Sequence, residues 1–196
     1  MVPIILGSII ALAIILDRFW TLWRIRLNLH RFAQEIFLFL ERGQFQKAME
    51  RCAKVRHPIA EVFKLGIINR GLKREEVEAM MEREGDEQVQ YLERYLGALI
   101  IIIGVEPMLG FLGTIVGLIR AFMTWEQLGS NITVSVLAAG IYQAMITTAA
   151  GLTVAIPAYI LYHLIVGKIK NHAQEMTYYG NELVYILVRH REGDTR

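Results

Sequence analysis

Three long apolar blocks punctuate a chain whose other parts carry charge at helical spacing. The first, VPIILGSIIALAIILDRFWTLW, runs from Val2 to Trp23. The second, LGALIIIIGVEPMLGFLGTIVGLIRAFM, runs from Leu96 to Met123, and the third from Ile132 to Gly167. A helix needs about 20 mostly apolar residues to cross a hydrocarbon core about 30 Å thick, and all three blocks reach that length. The pattern therefore predicts an all-α integral membrane protein with three transmembrane helices, at residues 1–23, 96–124 and 132–167.

Between and after the blocks, the period remains helical. LHRFAQEIFLFLERG and QFQKAMERCAKVRHP read as short amphipathic helices ended by Gly43 and by His57-Pro58, and IAEVFKLGIINRG as a third ended by Gly71. These give residues 24–95 the character of a small helical domain. From Lys73 no proline intervenes before Pro107, so one helix is expected to run from Lys73 into the second span. The third span is expected to continue through residues 168–196, where NHAQEMTYYGNELVYILVRH keeps an amphipathic pattern. Both long helices would thus project beyond the bilayer.

Charge orients this plan. The short connection at 125–131 holds Glu126 and no Lys or Arg, whereas Arg24 to Arg94 is rich in both, and the tail carries Lys168, Lys170, Arg189 and Arg191. The positive-inside rule then puts the amino terminus and the connection outside, and residues 24–95 and the carboxyl terminus in the cytoplasm. The first block is expected to be a retained helix: its basic residues Arg18, Arg24, Arg26 and Arg31 follow the apolar core, whereas a signal peptide carries them before it. Composition agrees, with 54% hydrophobic residues and a mean hydropathy of +0.37. The net charge of +2 shows no nucleic-acid footprint. The single cysteine, Cys52, rules out an internal disulfide and reads as a packing residue.

Small residues recur on the second and third spans. Gly140, Ala144, Thr148, Gly151, Ala155 and Ala158 share one stripe, and Gly110, Thr114, Gly117 and Ala121 another, with Gly113 beside it. Such stripes mark close helix packing in lipid. Two of them in one short chain predict a homo-oligomer whose second and third helices line a common interior. Thr114 and Thr148 have two readings: a hydroxyl satisfied by its own backbone, or a polar group aimed into that interior. Tyr142, Gln143 and Thr147 add polar capacity near Thr148, and the costly Gln143 amide is expected to point inward. Glu106 is the most informative residue, because intramembrane carboxylates face protein and mark ion or proton paths. Against that stands solvation at the cytoplasmic end of its helix. Arg120 is expected to snorkel to the outer interface, and Asp17 and Arg18 to lie at the inner one.

The segments VEPMLGFLGTIVGLIRAF and GIYQAMITTAAGLTVAIPA, preceded by ALAIILDRFW, resemble the ExbB/TolQ branch of the MotA/TolQ/ExbB proton-channel family, in order over nearly the whole chain. The resemblance implies a pentamer in a bacterial inner membrane, enclosing in its central pore a dimer of a single-span ExbD- or TolR-like partner. The partner's aspartate would carry protons, and proton flow would drive rotation and work on a TonB- or TolA-like periplasmic protein. It places Thr114 and Thr148 as the pore threonines that hydrate or hydrogen-bond that aspartate. Two positions depart from the pattern: Gln143 stands where better-known members have glutamate, and Glu106 where a small residue is common. A carboxylate displaced from the third helix to the second is the resulting hypothesis.

The leading function is a non-enzymatic motor subunit driven by the proton motive force, with a self-contained channel or solute transporter as the alternative. A flagellar stator resembles a four-span plan, against three here. For an enzyme or a metal site the sequence offers little: His30, His57, His163, His172 and His190 are scattered and read as interfacial or surface residues, no nucleophile or phosphate-loop motif appears, and no cofactor is implied.

Overall fold

A computed structural model of the chain describes residues 2–25, 27–128 and 134–194. The described residues are helical, with α1 at Val2–Arg24, α2 at Leu29–Glu41, α3 at Phe45–Ala53, α4 at Pro58–Ile68, α5 at Arg74–Glu93, α6 at Leu96–Leu128 and α7 at Val134–Asp194. The expected connection at 125–131 is helical as far as Leu128, and residues 129–131 lie outside the described ones. Three stretches among the described residues are long and apolar enough to cross a membrane: α1, the apolar part of α6 and that of α7. The all-α plan with three apolar helices is therefore the observed one, and α7 runs unbroken through Pro157 and on past Lys170.

One expectation is corrected. The single helix predicted from Lys73 into the second span is two helices, parted at Arg94 and Tyr95. Tyr95 takes a φ of +66°, the left-handed region that a non-glycine residue enters at a cost of about 1–2 kcal/mol. No glycine or proline marks the position, so composition alone gives no warning of the break.

The chain divides into two compact units. The first comprises Met1–Arg18 and Tyr95–Leu164, and the second Phe19–Arg94 and Ile165–Arg196. In the second unit, α2 packs on α3, α3 on α4 and α4 on α5. Phe32, Ile36, Leu40, Phe63 and Ile67 supply the core together with Leu183 and Val184 of α7. Local chemistry fixes the ends of these helices. Asn28 Oδ1 accepts from Arg31 N at 3.2 Å to cap α2. At the far end Gly43, with φ +69°, turns the chain while Gln44 N donates to Phe39 O at 2.8 Å. Pro58 occupies the first turn of α4, where a missing N–H costs nothing.

His57 corrects the reading of the histidines as surface groups. It is 4% exposed and caps α4, its Nδ1 accepting from Ile59 N at 3.2 Å. Its ring meets His172 of α7 edge-on at a centroid distance of 5.5 Å. Burial, reinforced by His172, pushes the His57 imidazole down from 6.5 to about 4. Between those values the unfolded chain binds the proton and the folded chain does not. The His57 contribution is therefore intact above the unfolded value and is lost as pH falls toward about 4. A shift of this size corresponds to roughly 3 kcal/mol. Thermal melting of the detergent-solubilised chain should weaken from pH 7 to pH 5, and His57→Asn, which keeps a capping oxygen without a titrating ring, should flatten that slope. An equally steep slope in the variant would assign the acid sensitivity elsewhere.

Burial likewise pushes the Cys52 thiol up to about 12, with Lys64 and Arg51 opposing it only partly. Cys52 is an inert core residue, in keeping with the sequence reading.

Candidate functional site

In the first unit the two small stripes face each other. A Cβ at Gly110 would stand 3.0 Å from Thr147 O and Thr148 Cα, one at Gly117 2.7 Å from Ala144 Cβ, and one at Gly140 2.9 Å from Ala121 Cβ. At Gly113 it would overlap the Thr147 hydroxyl, and at Gly151 it would stand 2.6 Å from Glu106 O. Positions 106, 110, 117 and 121 of α6 thus meet 151, 147–148, 144 and 140 of α7, an antiparallel seam in which backbone approaches backbone. Ala144 and Ala155 are buried, as is Ala158. On the sequence these stripes are faces in need of further copies. Within one chain they are largely filled by each other, so the stripes by themselves do not call for further copies.

The threonines separate into two kinds. Thr114 Oγ1 donates to Phe111 O of its own helix at 2.6 Å, the self-satisfied arrangement. Thr147 Oγ1 does the same with Ala144 O at 2.6 Å and lies 3.3 Å from Gly110 O. Thr148 reaches across the seam, its Oγ1 donating to Gly110 O at 2.9 Å. This carbonyl is accessible because Gly110 has no side chain to shield it. The donor of Thr148 is thereby committed to protein, and the oxygen's remaining lone-pair capacity is left to accept from a proton donor.

Glu106 lies deeper than its position near a helix end suggested. It is 2% exposed, and its Oε2 finds no hydrogen-bond partner among the described residues. Gly7 of α1 makes room for it: a Cβ there would overlap Oε1. With Gly151 against its carbonyl oxygen, Glu106 sits where α1, α6 and α7 come together. The solvated reading of this carboxyl is therefore removed for the chain by itself. Next to it, Pro107 has no N–H to give the Ile103 carbonyl, which leaves another polar group short of a helical partner. Gly7 was missed in the sequence. Its only signal is a glycine amid IIL and SII, and its purpose becomes visible only with Glu106 opposite.

Gln143, expected to point into an interior shared by copies of the chain, is not covered within the single chain. It is exposed and, with Arg120, Gly113 and Thr147, lines an open groove of about 440 Å³ on the first unit. Thr148 and Glu106 therefore both lie along the seam, Thr148 against Gly110 and Glu106 against Gly151, whereas Thr114 is partly exposed and Gln143 exposed. Arg18 is 5% exposed and held in an ion pair with Asp17 at 2.6 Å, so protein and not only the membrane interface accommodates it. Among the described residues no group of three or more His, Cys, Asp or Glu is arranged to hold a metal ion.

Residues 45–178 match the MotA/TolQ/ExbB proton channel family. The chain is 36% identical over 159 residues to an ExbB homolog of Methanothermobacter thermautotrophicus, an alignment covering 76% of this chain and 54% of that protein. It is 32% identical over 208 residues to an ExbB-like protein of Synechocystis, covering 95% of this chain and 74% of the other. With the Tol-Pal system protein TolQ of Haemophilus influenzae it shares 31% identity over 106 residues, 54% of this chain and 46% of that one. The chain thus spans about half the length of the archaeal and TolQ relatives.

Proposed function

This chain belongs to the MotA/TolQ/ExbB proton channel family, and from that premise we propose that it is the multi-pass subunit of an energy-transducing membrane complex driven by the proton motive force. Copies of it, five by the family resemblance, surround a dimer of a single-span ExbD- or TolR-like partner, and the complex works on a TonB- or TolA-like periplasmic protein. The amino terminus faces the periplasm, and the second unit and carboxyl terminus face the cytoplasm, as the distribution of Lys and Arg favours.

The observation that carries this reading is the Thr148 hydroxyl tied to Gly110 O across the α6–α7 seam. A threonine so oriented offers lone pairs at a fixed place, suited to a protonated carboxyl or a water that arrives and leaves. Thr114, partly exposed, and Gln143, exposed, offer further neutral polar groups to a visiting helix. Glu106 adds a carboxyl inside each chain, the group that the Gln143 position lacks.

Two experiments test the proposal. Co-purification should recover a small single-span protein with one membrane aspartate, and proteoliposomes should take up protons only when that partner is present. Proton flux through this chain alone would instead favour the self-contained channel. With the partner present, Glu106→Gln is expected to lower proton-driven activity at least about tenfold, an effect on the scale of 1.4 kcal/mol or more in the barrier. Unchanged activity would remove Glu106 from the path and leave it a packing residue.

A further inference from the structure

Where α4 meets α7, two buried ring nitrogens lie without a partner. His57 Nδ1 accepts from Ile59 N at 3.2 Å, so the neutral ring carries its proton on Nε2. That Nε2–H is buried and donates to nothing among the described residues. His172 packs edge-on against it at a centroid distance of 5.5 Å. Its Nδ1 is likewise buried without a hydrogen bond, although Glu175 Oε2 stands 3.5 Å away. An unmet buried polar group costs about 1–3 kcal/mol, so a pair of them in adjoining rings calls for a reason beyond packing.

One proton changes what this pair does. With both rings neutral, His57 presents a donor and His172 Nδ1 can serve as an acceptor, so the two are compatible neighbours. A proton added to His172 turns Nδ1 into a donor, and the Glu175 carboxylate at 3.5 Å makes that cation an ion pair. His57 then faces a positive donor with a donor of its own. It has no other arrangement to adopt, because its Nδ1 is held by the α4 cap. α3 and α5 also pack on α4, yet among the described residues the one charged group that acts on the His57 ring is His172. On the His172 side the facing groups are His57 and Glu175, whereas Lys168, a turn earlier on α7, lies over the Phe19 ring.

The two ends of α4 hold α7 by different means. At Gly66 a Cβ would stand 2.8 Å from Leu183 Cδ2, and Phe63 and Ile67 share a core with Leu183 and Val184. A proton leaves that apolar contact untouched. At the other end the contact is the histidine pair.

We propose that His57 and His172 form a proton-operated latch: with both rings neutral the first turn of α4 rests on α7, and a proton on His172 lifts it while the Gly66 end stays docked. Acidification of the compartment around the second unit thereby loosens this domain's hold on α7, the helix that also carries Thr148. The latch needs neither a partner nor proton flux, so it stands or falls independently of the proposed function.

Paired spin labels on the full chain in membranes read the latch. Glu61→Cys with Gln174→Cys reports the His57 end of α4, and Ile68→Cys with Tyr185→Cys the far end, all four positions being exposed. Cys52 is buried with its thiol pushed up to about 12, so it can stay in place unlabelled. From pH 7 to pH 5, across the range in which imidazoles change charge, the distance between the first pair is expected to shift to longer values and broaden, and that between the second to hold. His172→Phe keeps an edge-on ring without its nitrogens and should hold the first distance at both pH values. Glu175→Gln, at an exposed position, should move the opening to lower pH by withdrawing the anion that steadies the His172 cation. A first distance that does not change with pH, a shift that persists in His172→Phe, an opening indifferent to Glu175→Gln, or a far end that moves equally would each overturn the latch.

Discussion

Thr148→Val is expected to bring proton-driven activity to background while the purified complex keeps its size and nearly all of its thermal stability. Valine preserves the branched shape, so the seam around Gly110 stays filled, and only the Oγ1 bond to Gly110 O at 2.9 Å disappears. A hydrogen bond between helices in a membrane is worth about 0.6 kcal/mol on average, and Gly110 O lies 3.3 Å from the Thr147 hydroxyl, which can take up part of the loss. The structural penalty is therefore small. The functional penalty is large if the hydroxyl oxygen accepts from a mobile proton donor, because valine offers no lone pair at any geometry. Thr148→Ser, which keeps the oxygen, should retain most of the activity. Thr114→Val is the internal comparison: among the described residues its hydroxyl bonds Phe111 O of its own helix, so any activity it costs points to a group beyond them. Normal activity in Thr148→Val would reduce the hydroxyl to a strut between α6 and α7.

The sequence made one kind of information legible and withheld another. Helical periodicity states which residues share a face, so the apolar spans, the amphipathic α2 and α4, and the small stripes of α6 and α7 are all legible in the sequence. It does not state what stands opposite. The stripes read as surfaces for close approach, yet a shared interior among copies and a seam within one chain demand the same glycines. Glu106 announced itself through its charge in an apolar run, whereas Gly7 could not, since a glycine acquires meaning only from the carboxyl it admits. His57 and His172 lie far apart along the chain and meet only because α4 packs near α7. The break at Tyr95 was illegible for a different reason: a left-handed tyrosine is a cost imposed by the fold, and no local preference predicts it. Hydroxyl direction was the finest detail withheld. Thr114, Thr147 and Thr148 share a chemistry, yet Thr114 bonds within its own helix while Thr147 and Thr148 both come within reach of Gly110 O across the seam, Thr148 the closer.

Gly151→Leu is expected to have the largest effect on folding, preventing α6 and α7 from closing and sharply lowering the yield of monodisperse protein. A Cβ at position 151 would stand 2.6 Å from Glu106 O, 3.3 Å from its carbonyl carbon and 3.4 Å from Gly110 Cα, and every one of these atoms belongs to the main chain of α6. No rotamer change relieves such a contact, so the helices must separate and surrender the packing at Gly110, Gly113 and Gly117. Even Gly151→Ala should cost about 1–3 kcal/mol by overpacking. Gly7→Ala makes an instructive contrast, since its added carbon would meet the Glu106 side chain. Glu106→Ala should therefore rescue Gly7→Ala and should do nothing for Gly151→Ala, because the truncation leaves the offending carbonyl where it was. The pair of double mutants, compared by thermal melting in detergent, separates a carboxyl lodged at a three-helix junction from a seam set by backbone contact. Wild-type melting of Gly151→Leu would mean that α7 does not lie against α6 at this level, and the placement of Thr148 over Gly110 would fall with it.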